Sequence, residues 1–318
     1  MRFSLTAICS LAATSASGEF VLEFPLDCTL DETCFIQQFV DNDPSAIATD
    51  FACGSLTYDG HKGTDFALNS LAQQAAGVDV LAAAEGTIMG VRNDMDDILQ
   101  ITPDAPDVSD RECGNGVVIK HIDGFETQYC HMAKGSITVS SGQTVQAGET
   151  LGKVGLWGQT QFPHLHVAVR KDGAVLDPFD TDGAAVCDDS HPSLWSRPIA
   201  TPAGGIINIG IAEGIPEFDA VKDGTANVNV DSRGSAFVGW AHLFGTRKGD
   251  LLLIRMMGPK GEVFAHEETI ERTQARAFRA SGKRTPAAGW PIGHYTLTVT
   301  QTRNGDVLDT ISQSFEIN

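Results

Sequence analysis

Positive charge is scarce in this chain. Lys and Arg number 22 against 41 Asp and Glu, a formal net charge of -19. That balance lacks the positive field that holds a nucleic-acid backbone or an anionic lipid surface, and general binding to either is excluded. Aromatic residues make up only 7% of the sequence, and no apolar run reaches the length of a transmembrane helix, ~20 residues. There is no CxxC pair, which argues against a four-cysteine metal site. There is no HExxH either, so a helix-borne zinc pair with a glutamate base is absent. Glycine is abundant, 33 residues in 318, and apolar residues reach 42%. Such a chain favours strands and tight turns over long helices, and it is long enough for two packed domains.

The N-terminus has the order of a secretory signal: Arg2, a mostly apolar stretch from Phe3 to Ala13, then small residues from Thr14 to Gly18. We assign 1–17 to that signal. Removing it removes Cys9 and leaves Cys28, Cys34, Cys53, Cys113, Cys130 and Cys187. Six cysteines in an exported chain point to three disulfides. Cys28 and Cys34 are close enough for a local clip, and the other pairings stay open. Export is therefore expected, with the periplasm favoured over the extracellular space because no wall-anchoring motif is evident.

The fold class expected is mainly β: a compact antiparallel β-sheet domain with a loop-rich N-terminal segment over 18–195, then a small β-sandwich-like domain over 205–318. Short apolar runs separated by glycine turns mark strands at Val78–Leu81, Thr87–Val91, Val117–His121, Phe125–His131, Ile137–Val139, Leu151–Leu156, Leu165–Arg170 and Ala174–Leu176. Asp123-Gly124 between two such runs is a hairpin signal. Leu68–Ala76 is the one helical segment expected. The acidic stretch 94–112 reads as an exposed excursion beside the cleft. After a Ser/Pro/Thr/Gly-rich boundary at 192–205, strands are expected at Ile206–Ile211, Ala226–Val230, Ala236–Leu243, Leu251–Met257, His294–Thr300 and Ser312–Ile317.

The chemistry concentrates in the first domain. His61 and Asp65 sit in Gly60-His61-Lys62-Gly63-Thr64-Asp65, where the glycines argue for a bent, extended segment. His164 and His166 sit two apart in a strand, so both imidazoles point to one face while Leu165 enters the core. His131 lies at the end of another strand. Zinc accepts histidine nitrogen and aspartate oxygen and, in a catalytic site, keeps one position for water. His61, Asp65 and one histidine of the HxH pair could hold it. His121, near the hairpin turn, is expected to be exposed, and Tyr129 to pack.

These residues resemble peptidase family M23, the zinc metalloendopeptidases of lysostaphin and LytM type. The resemblance is carried by His61-Lys62-Gly63-Thr64-Asp65, by Gly114-Asn115-Gly116 followed by Tyr129-Cys130-His131-Met132, and by His164-Leu165-His166, over about 54–179. It implies zinc held by His61, Asp65 and His166, with His131 and His164 as the catalytic histidines. It further implies hydrolysis of peptide bonds in bacterial peptidoglycan. One departure stands out: Phe162 occupies the position where the family pattern has glycine, so a bulky ring is expected beside the metal face. Two other readings are kept: a non-catalytic interaction protein that activates another wall hydrolase, and a secreted zinc peptidase acting on proteins. The C-terminal domain is assigned a wall or protein contact, or a purely structural role.

Overall fold

The computed structural model describes residues 19–101, 103–183, 187 and 191–318; the expected signal lies outside the described residues. The structure is mainly β and antiparallel, as the turn-rich sequence led us to expect. In chain order the first half carries β1 (Cys34–Gln38), β2 (Thr64–Leu68), helix α1 (Leu71–Ala76), β3 (Asp79–Leu81), β4 (Gly86–Arg92), β5 (Gly116–Lys120), β6 (Phe125–Cys130), β7 (Thr144–Val145), β8 (Thr150–Lys153), β9 (His164–Lys171) and β10 (Ala174–Leu176). The main sheet runs β1-β2-β9-β6-β5-β4-β7, with β10 paired to β9, and β3 and β8 form a separate ribbon. Asp123 and Gly124 take left-handed backbone between β5 and β6, which is why that pair closes the hairpin.

The second half carries β11 (Gly205–Ala212), helix α2 (Phe218–Asp223), β12 (Ala236–Thr246), β13 (Leu251–Gly258), β14 (Gly261–Thr269), β15 (Gln274–Arg284), β16 (Gly293–Arg303) and β17 (Asp306–Ile317). They make a three-stranded sheet, β11-β12-β15, and a four-stranded sheet, β14-β13-β16-β17. Phe237, Leu243, Leu252, Ile254, Leu297 and Val299 fill the space between the two. The halves share a packed seam. Phe35 of β1 meets Phe244 of β12 at 4.7 Å between ring centroids, and Phe244 belongs to the apolar core of the first half. The Gln37 side-chain amide donates to the Ala275 carbonyl at 3.1 Å.

Several local expectations are corrected. Cys34–Gln38 is an edge strand, although its short run lacks alternation and reads as loop. Leu68 ends β2, and the helix starts only at Leu71, where Ser70 caps it by accepting from the Gln73 N–H. Ile137–Val139 and Ala226–Val230 form no strand. Ile137, Val139, Ala226 and Val230 still fill core from loops, while Val228 is exposed. His121 is not exposed: it is 7% accessible, hydrogen-bonded to the Glu85 carbonyl at 2.6 Å and to the Thr127 hydroxyl at 2.7 Å. The turn between β5 and β6 sets its ring against Phe20, centroids 5.1 Å apart.

Disulfides join Cys28 to Cys34, Cys53 to Cys187 and Cys113 to Cys130. The first is the expected local clip. The third ties the end of β6 to the segment before Gly114-Asn115-Gly116. Tyr129 packs fully buried, and its hydroxyl accepts from the Ala83 N–H at 2.8 Å. Removing that oxygen strands a buried donor. Tyr129→Phe is therefore expected to lower stability by about 1–3 kcal/mol in denaturant unfolding.

In the second half, Asp250 accepts from Arg303 Nε at 2.8 Å, Arg303 Nη2 at 2.8 Å and Gln301 Nε2 at 2.9 Å. Burial pushes its carboxyl up, but the Arg303 and Gln301 side chains and the Arg247 N–H outweigh burial and hold it below the ordinary value of 3.8. A lowered folded pKa means stability that is present above the unfolded pKa and lost as pH falls through the folded one. Asp250→Asn should cost about 1–3 kcal/mol at pH 7. The gap to wild type should narrow as urea unfolding is repeated below the ordinary carboxylate range.

Candidate metal centre and cleft

The register of β2 against β9 builds the centre. Asp65 stands directly opposite His166, and Ala67 opposite His164. On the other side of β9, Cys130 of β6 stands opposite His166, which brings His131 to the same face. Leu165, between the two histidines, is fully buried. Before β2 the chain bends so that His61 returns over Asp65. Gly63 makes this possible, since a Cβ there would meet His166 Nε2 at 2.6 Å and the Val167 carbonyl at 2.6 Å.

Three donor atoms converge. His61 Nε2 lies 3.2 Å from Asp65 Oδ1, His166 Nδ1 lies 2.8 Å from the same oxygen, and the two nitrogens are 3.2 Å apart. The His61 Nδ1–H donates to the Phe39 carbonyl at 2.6 Å. That bond fixes the ring and turns the Nε2 lone pair toward Asp65. A lone pair facing a carboxylate oxygen at this distance is repulsive unless a cation or a proton lies between them. The donor atoms of His61, Asp65 and His166 all fall within 4.8 Å of one another, and two nitrogens with one oxygen suit a borderline divalent ion. The residues therefore fit the metal that the sequence leads one to expect. Without an ion, burial pulls the Asp65 carboxyl up, but His61, His164 and His166 outweigh it and hold it well below 3.8. His61 is shifted upward: burial opposes the charge, and Asp65 outweighs burial.

His131 and His164 flank this set, with their ring centroids 4.6 Å apart. The His131 Nδ1–H donates to the Trp157 carbonyl at 2.9 Å, and the His164 Nδ1–H to the Phe162 carbonyl at 2.9 Å. Both rings thus keep Nε2 for the cleft, and His164 Nε2 is 3.6 Å from Asp65 Oδ1. Burial lowers the pKa of both, His131 well below the ordinary value, with His164 and His166 adding repulsion. His131 holds a left-handed backbone, φ 63°, which non-glycine residues rarely adopt. Its N–H donates to the Cys113 carbonyl at 2.9 Å, and its carbonyl accepts from the Gly155 N–H at 2.7 Å. A Cβ on Gly158 would strike His131 Nδ1 at 2.8 Å.

The centre opens into a cleft of about 640 Å³. Gln100 and Ile101 of the acidic excursion line it, as do Tyr58 and Phe162. Phe162 stacks on His164, centroids 4.4 Å apart, so the ring that replaces glycine forms a wall of the cleft. A further part of the lining was missed in the sequence: Phe218, Lys222, Ala275 and Arg276, all from the second half. Only composition could have hinted at them, through the few basic residues of an acidic chain. Asp180, Asp182 and His191 form a second cluster of donor groups away from this cleft.

Residues 59–178 match the profile of peptidase family M23. The DD-carboxypeptidase/endopeptidase Mpg of Neisseria meningitidis is 38% identical over 65 residues, 20% of this chain and 14% of that protein. The peptidoglycan DD-endopeptidase ShyA of Vibrio cholerae is 34% identical over 106 residues, 33% of this chain and 19% of that protein. The chain thus spans less than a fifth of either relative. A crystal structure of a zinc-containing peptidase from Vibrio cholerae is 22% identical, covering 49% of this chain and 39% of that one, with a TM-score of 0.34.

Equilibrium dialysis against zinc as the probe ion tests the centre. Asp65→Ala or His166→Ala should weaken binding by about 100-fold or more, because each removes one donor of three. His121→Ala, at a buried histidine outside the set, should leave zinc affinity unchanged.

Proposed function

Residues 59–178 form a domain of peptidase family M23, and on that premise we propose that the chain is a zinc-dependent endopeptidase hydrolysing peptide bonds in bacterial peptidoglycan. The observation that carries this reading is the convergence of His61, Asp65 and His166 beside two neutral imidazoles whose Nε2 atoms face the cleft. The name of ShyA, a peptidoglycan DD-endopeptidase, points to peptidoglycan as the substrate class. We assign zinc to His61, Asp65 and His166, and proton transfer to His131 and His164. The protein is exported in this reading, with 18–195 as the peptidase unit and 205–318 as a sandwich-like domain.

Zinc at this centre would supply Lewis-acid polarisation of the scissile carbonyl and a water of lowered pKa. The chain's own groups do the rest. Each flanking imidazole is neutral, and its Nδ1–H is already committed to a backbone carbonyl. Its Nε2 is therefore the atom that accepts a proton from the attacking water. Once protonated, the same atom donates, either to the oxyanion as its charge develops or to the departing amine. The two backbone anchors keep both rings aimed without reorganisation. Phe162, stacked on His164, excludes water from one side of that pair.

Digestion of purified peptidoglycan by the full chain tests this. Activity should vanish on chelation and return with zinc. His131→Ala should lower kcat on the order of 100-fold or more while zinc content stays at the wild-type level. If the wall is untouched while a general peptide library is cleaved in a zinc-dependent way, the substrate is protein. If neither is cleaved, the peptidase proposal fails.

A further inference from the structure

We propose that Arg276, supplied by β15 of the second half, is a specificity-determining residue that binds a carboxylate of the peptide lying in the cleft. It rests on the peptidase reading only for the statement that the cleft receives a peptide.

Three observations carry it. First, Arg276 is held in place rather than free. Its Nε donates to Gln37 Oε1 at 3.0 Å, and its guanidinium lies 4.1 Å over the Phe162 ring. Phe162 in turn stacks on His164 at 4.4 Å. The cation is thus two ring contacts from the imidazole pair, within two to three extended residues of the scissile bond at ~3.3–3.6 Å each.

Second, the guanidinium is incompletely used. Its Nη2 is buried with no hydrogen-bond partner among the described residues, and no carboxylate pairs with it among them. Burial alone drives its pKa down to about 9. A buried donor left unpaired is costly and calls for a partner. Arg276 as a whole is only partly buried and lines the cleft, so a small turn of the guanidinium presents that N–H to a bound molecule.

Third, the surroundings are cationic although the chain carries a net charge of -19. Lys222 lines the same wall, 5.3 Å over Phe218, and among the described residues pairs with the exposed Asp219 at 2.7 Å. His242, behind Phe218, is held neutral, its pKa pulled down to about 3 by burial and by Arg276 and Lys222. A planar fork with a free N–H, backed by aromatic rings, matches a carboxylate. Peptides of bacterial walls offer such groups both on side chains and at the C-terminus, and amidation removes either one.

The test reads binding without turnover. The zinc-loaded full chain carrying His131→Ala is titrated calorimetrically with the tetrapeptide L-alanyl-γ-D-glutamyl-meso-diaminopimelyl-D-alanine. Three further forms are used, amidated singly at the glutamyl, the diaminopimelyl side-chain or the C-terminal carboxylate. One of the three should bind about tenfold or more weakly than the parent, and which one identifies the carboxylate. Adding Arg276→Gln should weaken the parent by a similar factor and erase that difference. Arg276→Lys, which keeps charge but loses the fork, should restore only part of it. The proposal is overturned if all four peptides bind within twofold of one another, if none binds, or if Arg276→Gln leaves the discrimination intact. The peptide series needs no change at Arg276, so misfolding of an Arg276 variant cannot mask the answer, and zinc content at the wild-type level shows that the His131→Ala chain is folded. A wild-type chain that discriminates but cleaves nothing would sink the peptidase reading and leave this one standing.

Discussion

The arrangement hinges on one crowded oxygen. Asp65 Oδ1 is approached by His61, His166 and His164 at 3.2, 2.8 and 3.6 Å, its carboxylate almost wholly buried at the floor of the cleft. Only a cation or an intervening proton makes that approach favourable, and the low dielectric around it raises the stakes. The surrounding architecture answers to this demand. The antiparallel register sets Asp65 opposite His166, the Phe39 carbonyl fixes the His61 tautomer, and Gly63 permits contact that no side chain would allow.

Around that core the rigidity is layered. The Cys113–Cys130 disulfide and two backbone hydrogen bonds hold His131 in a left-handed conformation that it would not keep in a free chain. The Trp157 and Phe162 carbonyls aim the two flanking imidazoles in the same tautomer. Beyond them, the second half closes the cleft. The seam at Phe35, Phe244 and Gln37 positions β15, and β15 delivers Arg276 above Phe162. The substitution that departs from the family pattern and the sheet that lies outside it therefore meet at a single contact.

Much of the candidate centre was legible in the residue string because its candidate ligands come in short, self-explaining motifs. An HxH pair in a strand must show both rings on one face, and a glycine between His61 and Asp65 signals close approach. Asp123-Gly124 announced its hairpin for the same local reason. Legibility failed where the cause was nonlocal. Cys34–Gln38 reads as loop because its pairing comes from β2, 26 or more residues onward. His121 reads as exposed because its burial depends on Phe20, Glu85 and Thr127.

What the sequence by itself determined is the fold class and the short motifs from which the candidate donors come. Residue chemistry and period-two patterning are properties of the string, and they act over a few residues. What only the tertiary structure decided is which long-range strand faces which, and hence which residues of the second half line the cleft. Arg276 lies 110 residues beyond His166 in the numbering, in a run with no motif to mark it. Its place over Phe162 comes from the packing of two sheets, a collective outcome of many apolar contacts that no local pattern records.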